Sequence, residues 1–200
     1  MQATQQCLKG KFMNRQDKIK LFQAHLLPIY NYMEIGVWKG ELIEALFNAS
    51  SNRNKCSYVL IDPWKVSDTH INAWYSSSVV TQKELDEIYQ DVCDKFKSYK
   101  NIQIFRNRAT DKTFTWHYDI YLDSFDLIYI DGEHTYSAVS SDLLFAIDWI
   151  STDGCIICDD YHTDKWWNEE VINAVKDFVH DNKNDVQLKV FNDQAIISLL

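Results

Sequence analysis

Glycine and proline are scarce in this chain, at five and two among 200 residues. That composition excludes a Pro- or Gly-rich linker and a low-complexity tract, and no internal repeat is visible. Positive charge is short as well. Lys and Arg number 20 against 29 Asp and Glu, for a net charge of −9. Such a balance argues against nucleic acid or an anionic membrane surface as a partner. The five cysteines, Cys7, Cys56, Cys93, Cys155 and Cys158, are odd in number and scattered. Cys155 and Cys158 have zinc-like spacing but no second pair, so they read as buried reduced thiols. No apolar run approaches membrane-spanning length, and the opening MQATQQCLKGKFM holds no signal-peptide core. An intracellular, reducing location is expected, in the cytoplasm or in a host's cytoplasm if the chain is virus-encoded.

What the chain does have is apolar and aromatic surface, including seven Trp and eleven Tyr. A chain of 200 residues fits one domain. It can bury roughly 70 per cent of its unfolded surface without a stapling disulfide or metal. The aromatic excess is compatible with a homodimer.

The most informative stretch runs from Phe125 to His162. Phe125, Leu127, Ile128, Tyr129 and Ile130 form a strand-like run suited to burial on both faces, stopped by Asp131 and turned by Gly132. Val139, Leu143, Ala146, Ile147 and Ile150 then fall at helical spacing, and Thr152, Asp153 and Gly154 end that helix. Cys155 to Cys158 is a second apolar strand, stopped by Asp159 and Asp160. Strand, helix and strand of this size make a right-handed parallel unit. Its strands end on one edge of the sheet, where ligands of open α/β sheets bind. Asp131, Asp159 and Asp160 should converge there, with His134 and His162 close behind. Converging carboxylates repel unless they share a cation, and hard divalent ions take such oxygen ligands. The plainer alternative is that these acids cap turns.

The rest of the chain supports the same α/β order. Residues 1–13 show no period, and Asn14 can cap a helix carrying Ile19, Phe22 and Leu26 that ends at Pro28. Tyr32, Met33 and Ile35 read as a strand, Gly36 to Gly40 as a tight loop and Glu41 to Phe47 as a helix. The loop lacks a full G-x-G-x-x-G, yet a bare backbone at Gly36 would let a ligand approach closely. Ser57 to Ile61 is a strand ending in Asp62, an acid placed to hold the two hydroxyls of a ribose. Residues 63–80 form an irregular aromatic segment with Trp64, Trp74 and Tyr75, suited to a substrate lid. Thr81 and Glu84 form a capping box for a helix reaching about Tyr99. Ile102 to Phe105 is a strand followed by the Arg106–Asp111 loop, and residues 112–124 make a polar, aromatic connection. Asn168 should cap a helix with Val171, Val175, Phe178 and Val179 on its apolar stripe. Val186–Phe191 and Ala195–Leu200 read as a hairpin across Asn192 and Asp193. The expected fold is a doubly wound, Rossmann-like seven-stranded sheet, five strands parallel and two in an antiparallel hairpin, with helices on both faces. It forms a single domain over 1–200, with 1–28 as an N-terminal extension and helix.

Three segments, MEIGVWKG, LIDPW and FDLIYIDGEHTYSAVSSDLLFAIDWISTDGCIICDDYH, together resemble class I S-adenosylmethionine-dependent methyltransferases. The last is similar to the metal-dependent O-methyltransferases related to macrocin and rhamnosyl O-methyltransferases. The resemblance implies S-adenosyl-L-methionine as cofactor, with Glu34, Gly36, Gly40 and Asp131 near its methionine part. Asp62 would hold its ribose hydroxyls, Pro63 and Trp64 would also contact the cofactor, and Thr110 and Asp111, with Ala109, are candidates near its adenine. Asp131, Asp159 and Asp160 stand at the positions of ligands for a divalent cation, Mg²⁺ or Mn²⁺. His134 stands at the position of a catalytic base, paired with Asp131, and His162 is the alternative. Trp74, Tyr75, His134, Tyr161 and His162 would face the acceptor, by analogy a deoxysugar such as rhamnose in a glycan or glycoside. A small phenolic or catechol-like acceptor is the runner-up, and a base working without metal is the rival chemistry. A nicotinamide oxidoreductase and a non-enzymatic cofactor-binding module are the competing classes.

Overall fold

The apolar runs become a seven-stranded sheet in the computed structural model, which describes residues 14, 17, 18, 20, 29–66, 81–111, 124–163 and 168–200. Its strands are β1 (Asn31–Ile35), β2 (Ser57–Ile61), β3 (Ile102–Phe105), β4 (Phe125–Ile130), β5 (Ile150–Cys158), β6 (Val186–Phe191) and β7 (Gln194–Leu199). The order across the sheet is β3-β2-β1-β4-β5-β7-β6. Strands β1 to β5 run parallel, and β7 pairs antiparallel with both β5 and β6. This is the doubly wound, Rossmann-like arrangement the strand-and-helix alternation predicts. The order reverses between β1 and β4, which opens a crevice beyond their carboxyl ends.

Burial on both faces follows from the alternation along each strand. In β4, Phe125, Ile128 and Ile130 pack into one apolar cluster, while Leu127 and Tyr129 pack into the other. Helices α1 (Glu41–Ala49) and α2 (Gln82–Phe96) contribute Ile43, Leu46, Leu85 and Val92 to the second cluster. Helices α3 (Tyr136–Ile147) and α4 (Glu170–Asp181) contribute Val139, Leu143, Val175 and Phe178 to the first. Cys155 and Cys158 fall into opposite clusters, so they cannot share a metal. Burial pushes the Cys155 thiol up to about 12 and Cys158 higher still, consistent with inert thiols. Among the described residues, no helix is long and apolar enough to cross a membrane.

Local signals held at several ends. Thr81 and Glu84 form the reciprocal capping box at the start of α2. The Asp17 amide donates to Asn14 Oδ1 at 3.0 Å, so Asn14 caps a helical turn. Two expectations are corrected. Ile150 and the following Thr152–Gly154 belong to β5, not to the preceding helix, because α3 ends at Ile147 and Ile150 pairs with Phe125 across a register shift. Gly154 lies against the Phe125 carbonyl there, where an added Cβ would come within 2.6 Å. Asn168 does not cap α4; the capping position is Glu169, without a side-chain bond, and Asn168 takes a left-handed φ of 46°.

Gly36 holds the two central strands together at their ends. Its φ is +90°, and an added Cβ would lie 2.2 Å from the Asp131 carbonyl oxygen. Its amide donates to Ile61 at 2.9 Å, and the Asp131 amide donates to Ile35 at 2.8 Å. Gly36→Ala should therefore destabilise the fold by about 2–4 kcal/mol through backbone strain and overlap. Urea denaturation measures this, and an unchanged midpoint would mean that β1 and β4 can part at no cost.

Candidate active site

A cleft of about 850 Å³ opens at the carboxyl ends of β1, β2 and β4. That volume suits a small-molecule site. Of the residues singled out from sequence, Glu34, Gly36, Asp62, Pro63, Trp64, Thr110, Asp131 and His134 line it. Gly40, Asp111, Asp159, Asp160, Tyr161 and His162 are not among its lining residues. Gly40 is the left-handed residue before α1, beside Phe96 and Val92 of α2. Asp111 Oδ2 accepts from the Arg108 amide at 2.9 Å and closes its own turn. Trp74 and Tyr75 lie outside the described residues.

Asp62 ties two loops together. Its Oδ2 accepts from the Val37 and Trp38 amides at 3.0 and 2.9 Å, and its Oδ1 from the Trp64 amide at 2.7 Å. A carboxylate has about four lone-pair positions, so a ribose hydroxyl would share Asp62 with these amides. Trp64 is 1% exposed, donates its indole N–H to the Trp38 carbonyl and packs on Tyr89. Its ring therefore builds the wall from behind. Glu34 is also buried, accepting from the Tyr32 hydroxyl at 2.8 Å.

The acids at the ends of β4 and β5 meet next to the cleft, and of this group Asp131 and His134 line it. Asp131, His134 and Asp160 each offer a ligand atom within 4.8 Å of one another, and Asp159, Asp160 and Asp193 form a second such group. The expected set of Asp131, Asp159 and Asp160 is thus divided, with Asp160 common to both groups. Asp160 stands between two imidazoles, its Oδ2 2.8 Å from His134 Nε2 and its Oδ1 3.1 Å from His162 Nε2. Asp160 adopts a left-handed φ of 56°. His134 Nε2 is also 3.8 Å from Asp131 Oδ1. Tyr161 packs its half-buried ring against the apolar core.

Asp159 points inward. It is 4% exposed and accepts from the Tyr129 hydroxyl at 2.6 Å, from Gln194 Nε2 and from the Lys18 ammonium. Sequence reasoning missed all three donors, since none carries a local motif; only the tyrosine in a buried strand, which needs a hydroxyl partner, gave a signal.

Charge and burial compete strongly here. Desolvation, with Asp159 and Asp160 nearby, pushes the Asp131 carboxyl well above its usual range, against the pull of Lys18. Burial works to raise Asp160 too, yet His134 and His162 hold it below the ordinary value. Burial also favours neutral Lys18, but Asp159, Asp131 and Asp160 outweigh it and raise the ammonium's pKa. Carboxylates with an imidazole are suitable donors for a hard or borderline divalent ion. The lysine drawn in among the acids shows that the cluster accepts positive charge.

Residues 33–161, well over half of the chain, match a protein family described as a methyltransferase domain. No curated protein matches significantly. Among solved structures, the SAH-bound methyltransferase PaMTH1 of Podospora anserina is 16% identical with a TM-score of 0.58, over 94% of this chain and 80% of that one. The O-methyltransferase TomG of Streptomyces achromogenes, in complex with SAM, is 15% identical with a TM-score of 0.58, over 91% and 77%. MycE of the mycinamycin biosynthetic pathway, in complex with Mg, SAH and mycinamycin VI, is 13% identical with a TM-score of 0.57, over 92% of this chain and 48% of that one. At these identities the likeness establishes the fold.

Asp142 of α3 also lines the cleft and had no motif to announce it. Burial pushes its carboxyl up to about 7, against the pull of Arg108 and with a push from Glu133. The unfolded chain releases this proton at about pH 4. Unfolding therefore releases a proton between that pH and about 7, and stability falls as pH rises through this window. Asp142→Asn should match the parent below about pH 4 and exceed it above neutrality by roughly 1–3 kcal/mol. Urea denaturation across pH checks this; superimposable curves would show that Asp142 ionises freely.

Proposed function

The chain belongs to the methyltransferase-domain family, and we propose that it is an S-adenosyl-L-methionine-dependent O-methyltransferase acting on a sugar hydroxyl with a divalent cation. The observation that carries this reading is the position of His134. It lines the cleft beside Asp131, with its Nε2 facing Asp160 at 2.8 Å. The cofactor supplies an electrophilic methyl group. Glu34, Gly36 and Asp131 border the cleft where its methionine part would lie, and Asp62, Pro63 and Trp64 border the ribose side.

Asp131 and Asp160, with Asp159 completing the donors, would hold Mg²⁺ or Mn²⁺, whose chemistry is to orient the acceptor hydroxyl and lower its pKa. The acceptor's proton would pass to His134 as the acceptor oxygen bonds the methyl carbon and that carbon's bond to sulfur breaks, the electron pair staying on sulfur. Asp160, and Asp131 beyond it, then stabilise the imidazolium. His162 supports Asp160 from its other side at 3.1 Å. Asp62 keeps the first loop and Trp64 in place, so the reacting groups meet already positioned.

A deoxysugar such as rhamnose, in a glycan or glycoside, is the acceptor we favour. The likeness of residues 125–162 to the macrocin and rhamnosyl subgroup supports this. So does the polar cleft wall at Asp131, Glu133 and His134, which suits hydroxyl pairs. A metal-independent general-base enzyme is favoured by one observation, the Lys18 ammonium already paired with Asp159.

Incubation with labelled cofactor, Mn²⁺ or Mg²⁺ and a panel of glycans and phenols should give methylated sugar, lost on chelation with EDTA. His134→Ala should lower turnover by roughly 10²–10⁴-fold while cofactor affinity, read by calorimetry, stays within about twofold. Full activity in EDTA would select the metal-free reading, and undiminished turnover in the His134 variant would remove the base from the scheme.

A further inference from the structure

Lys18 reaches the acid cluster from outside the sheet. Asn14 caps the helical turn that carries it, and the Lys18 amide donates to the Asn14 carbonyl at 3.1 Å. Its ammonium pairs with Asp159 Oδ2, the two side chains being 16% and 2% exposed. It also lies 5.6 Å from the centre of the Tyr129 ring, whose hydroxyl bonds the same carboxylate. Lys18 lines the cleft as well. One ammonium thus touches the β5 acid and borders the space beside Asp131 and His134.

A buried carboxylate cluster needs compensating positive charge. A lysine ammonium is a compact point charge on a flexible stem, so it can occupy a cation's place and also withdraw from it. Two cations a few ångströms apart in a partly desolvated site repel each other strongly. A divalent ion and the Lys18 ammonium therefore compete for Asp131, Asp159 and Asp160.

We infer that Lys18 is a tethered counter-cation, and that a divalent ion binds the acid cluster only by displacing it. The inference rests on the metal reading above and adds a positioning role for a residue that takes no proton. Lys18 sets the metal affinity and couples metal binding to the segment that carries it.

The test is Mn²⁺ titration of the full chain, following free Mn²⁺ by electron paramagnetic resonance, with Asp160→Asn identifying the binding that belongs to this cluster. Lys18→Met should bind Mn²⁺ at least about tenfold tighter than the parent, whereas Lys18→Arg, which keeps the charge, should bind no tighter. Equal or weaker affinity in Lys18→Met overturns the inference and leaves the metal reading standing. Absence of binding in parent and variant alike overturns both. If Lys18→Met does not fold, the parent decides: acetylation of Lys18 by an amine-reactive ester, quantified on the peptide, should rise several-fold at saturating Mn²⁺. Labelling that Mn²⁺ leaves unchanged overturns the inference.

Discussion

Mutual repulsion among acids at the ends of β4 and β5 is the constraint around which the site is built. Parallel pairing delivers Asp131, Asp159 and Asp160 to one edge of the sheet. The surroundings offset their charge by different means. Asp159 is held by a hydroxyl, an amide and an ammonium; Asp160 by two imidazoles; Asp131 stays partly desolvated and is driven toward its protonated form. These three solutions place distinct chemical characters within a few ångströms. Acid–base and cation-binding roles separate in that way when environments push neighbouring groups apart.

The cleft depends on a second constraint, the contact of β1 with β4. A parallel sheet with the order reversed at these strands must bring their ends together before the chain turns away. Gly36 permits that by presenting no side chain to Asp131. Asp62 then binds the amides that follow Gly36, so the first and second loops are tied to each other. The glycine that looked like a cofactor cradle serves the backbone first, and the wall of the cleft follows from that service.

Strand ends were the most legible part of the sequence. A buried apolar run stopped by an acid identifies both an element and the edge where it finishes, and the acids of β2, β4 and β5 were found this way. The capping box at Thr81 was equally plain, because its physics is confined to four residues. Long-range partners were not legible. Gln194, Tyr129 and Lys18 meet Asp159 from 35, 30 and 141 residues away, and no spacing rule connects them. The bulged start of β5 was hidden for another reason: Ile150 continues the helical stripe of α3, and only its pairing with Phe125 makes it strand. Trp64 could be placed in an aromatic segment but not on one side of it, since aromatic composition does not tell which side of a loop a ring takes; it is buried at 1% exposure.

The C-terminal hairpin has a part in this chemistry that its position at the sheet's far side conceals. Through Gln194 it finishes the shell around Asp159, and through the Asp193 carbonyl it holds the Tyr161 amide at 2.8 Å. A minimal unit cut after α4 would retain the whole cleft lining yet strip Asp159 of its Gln194 amide donor, leaving the Tyr129 hydroxyl. Affinity handles or fusion partners that tug on β7 are thus a hazard to the reacting centre, and would be better joined elsewhere.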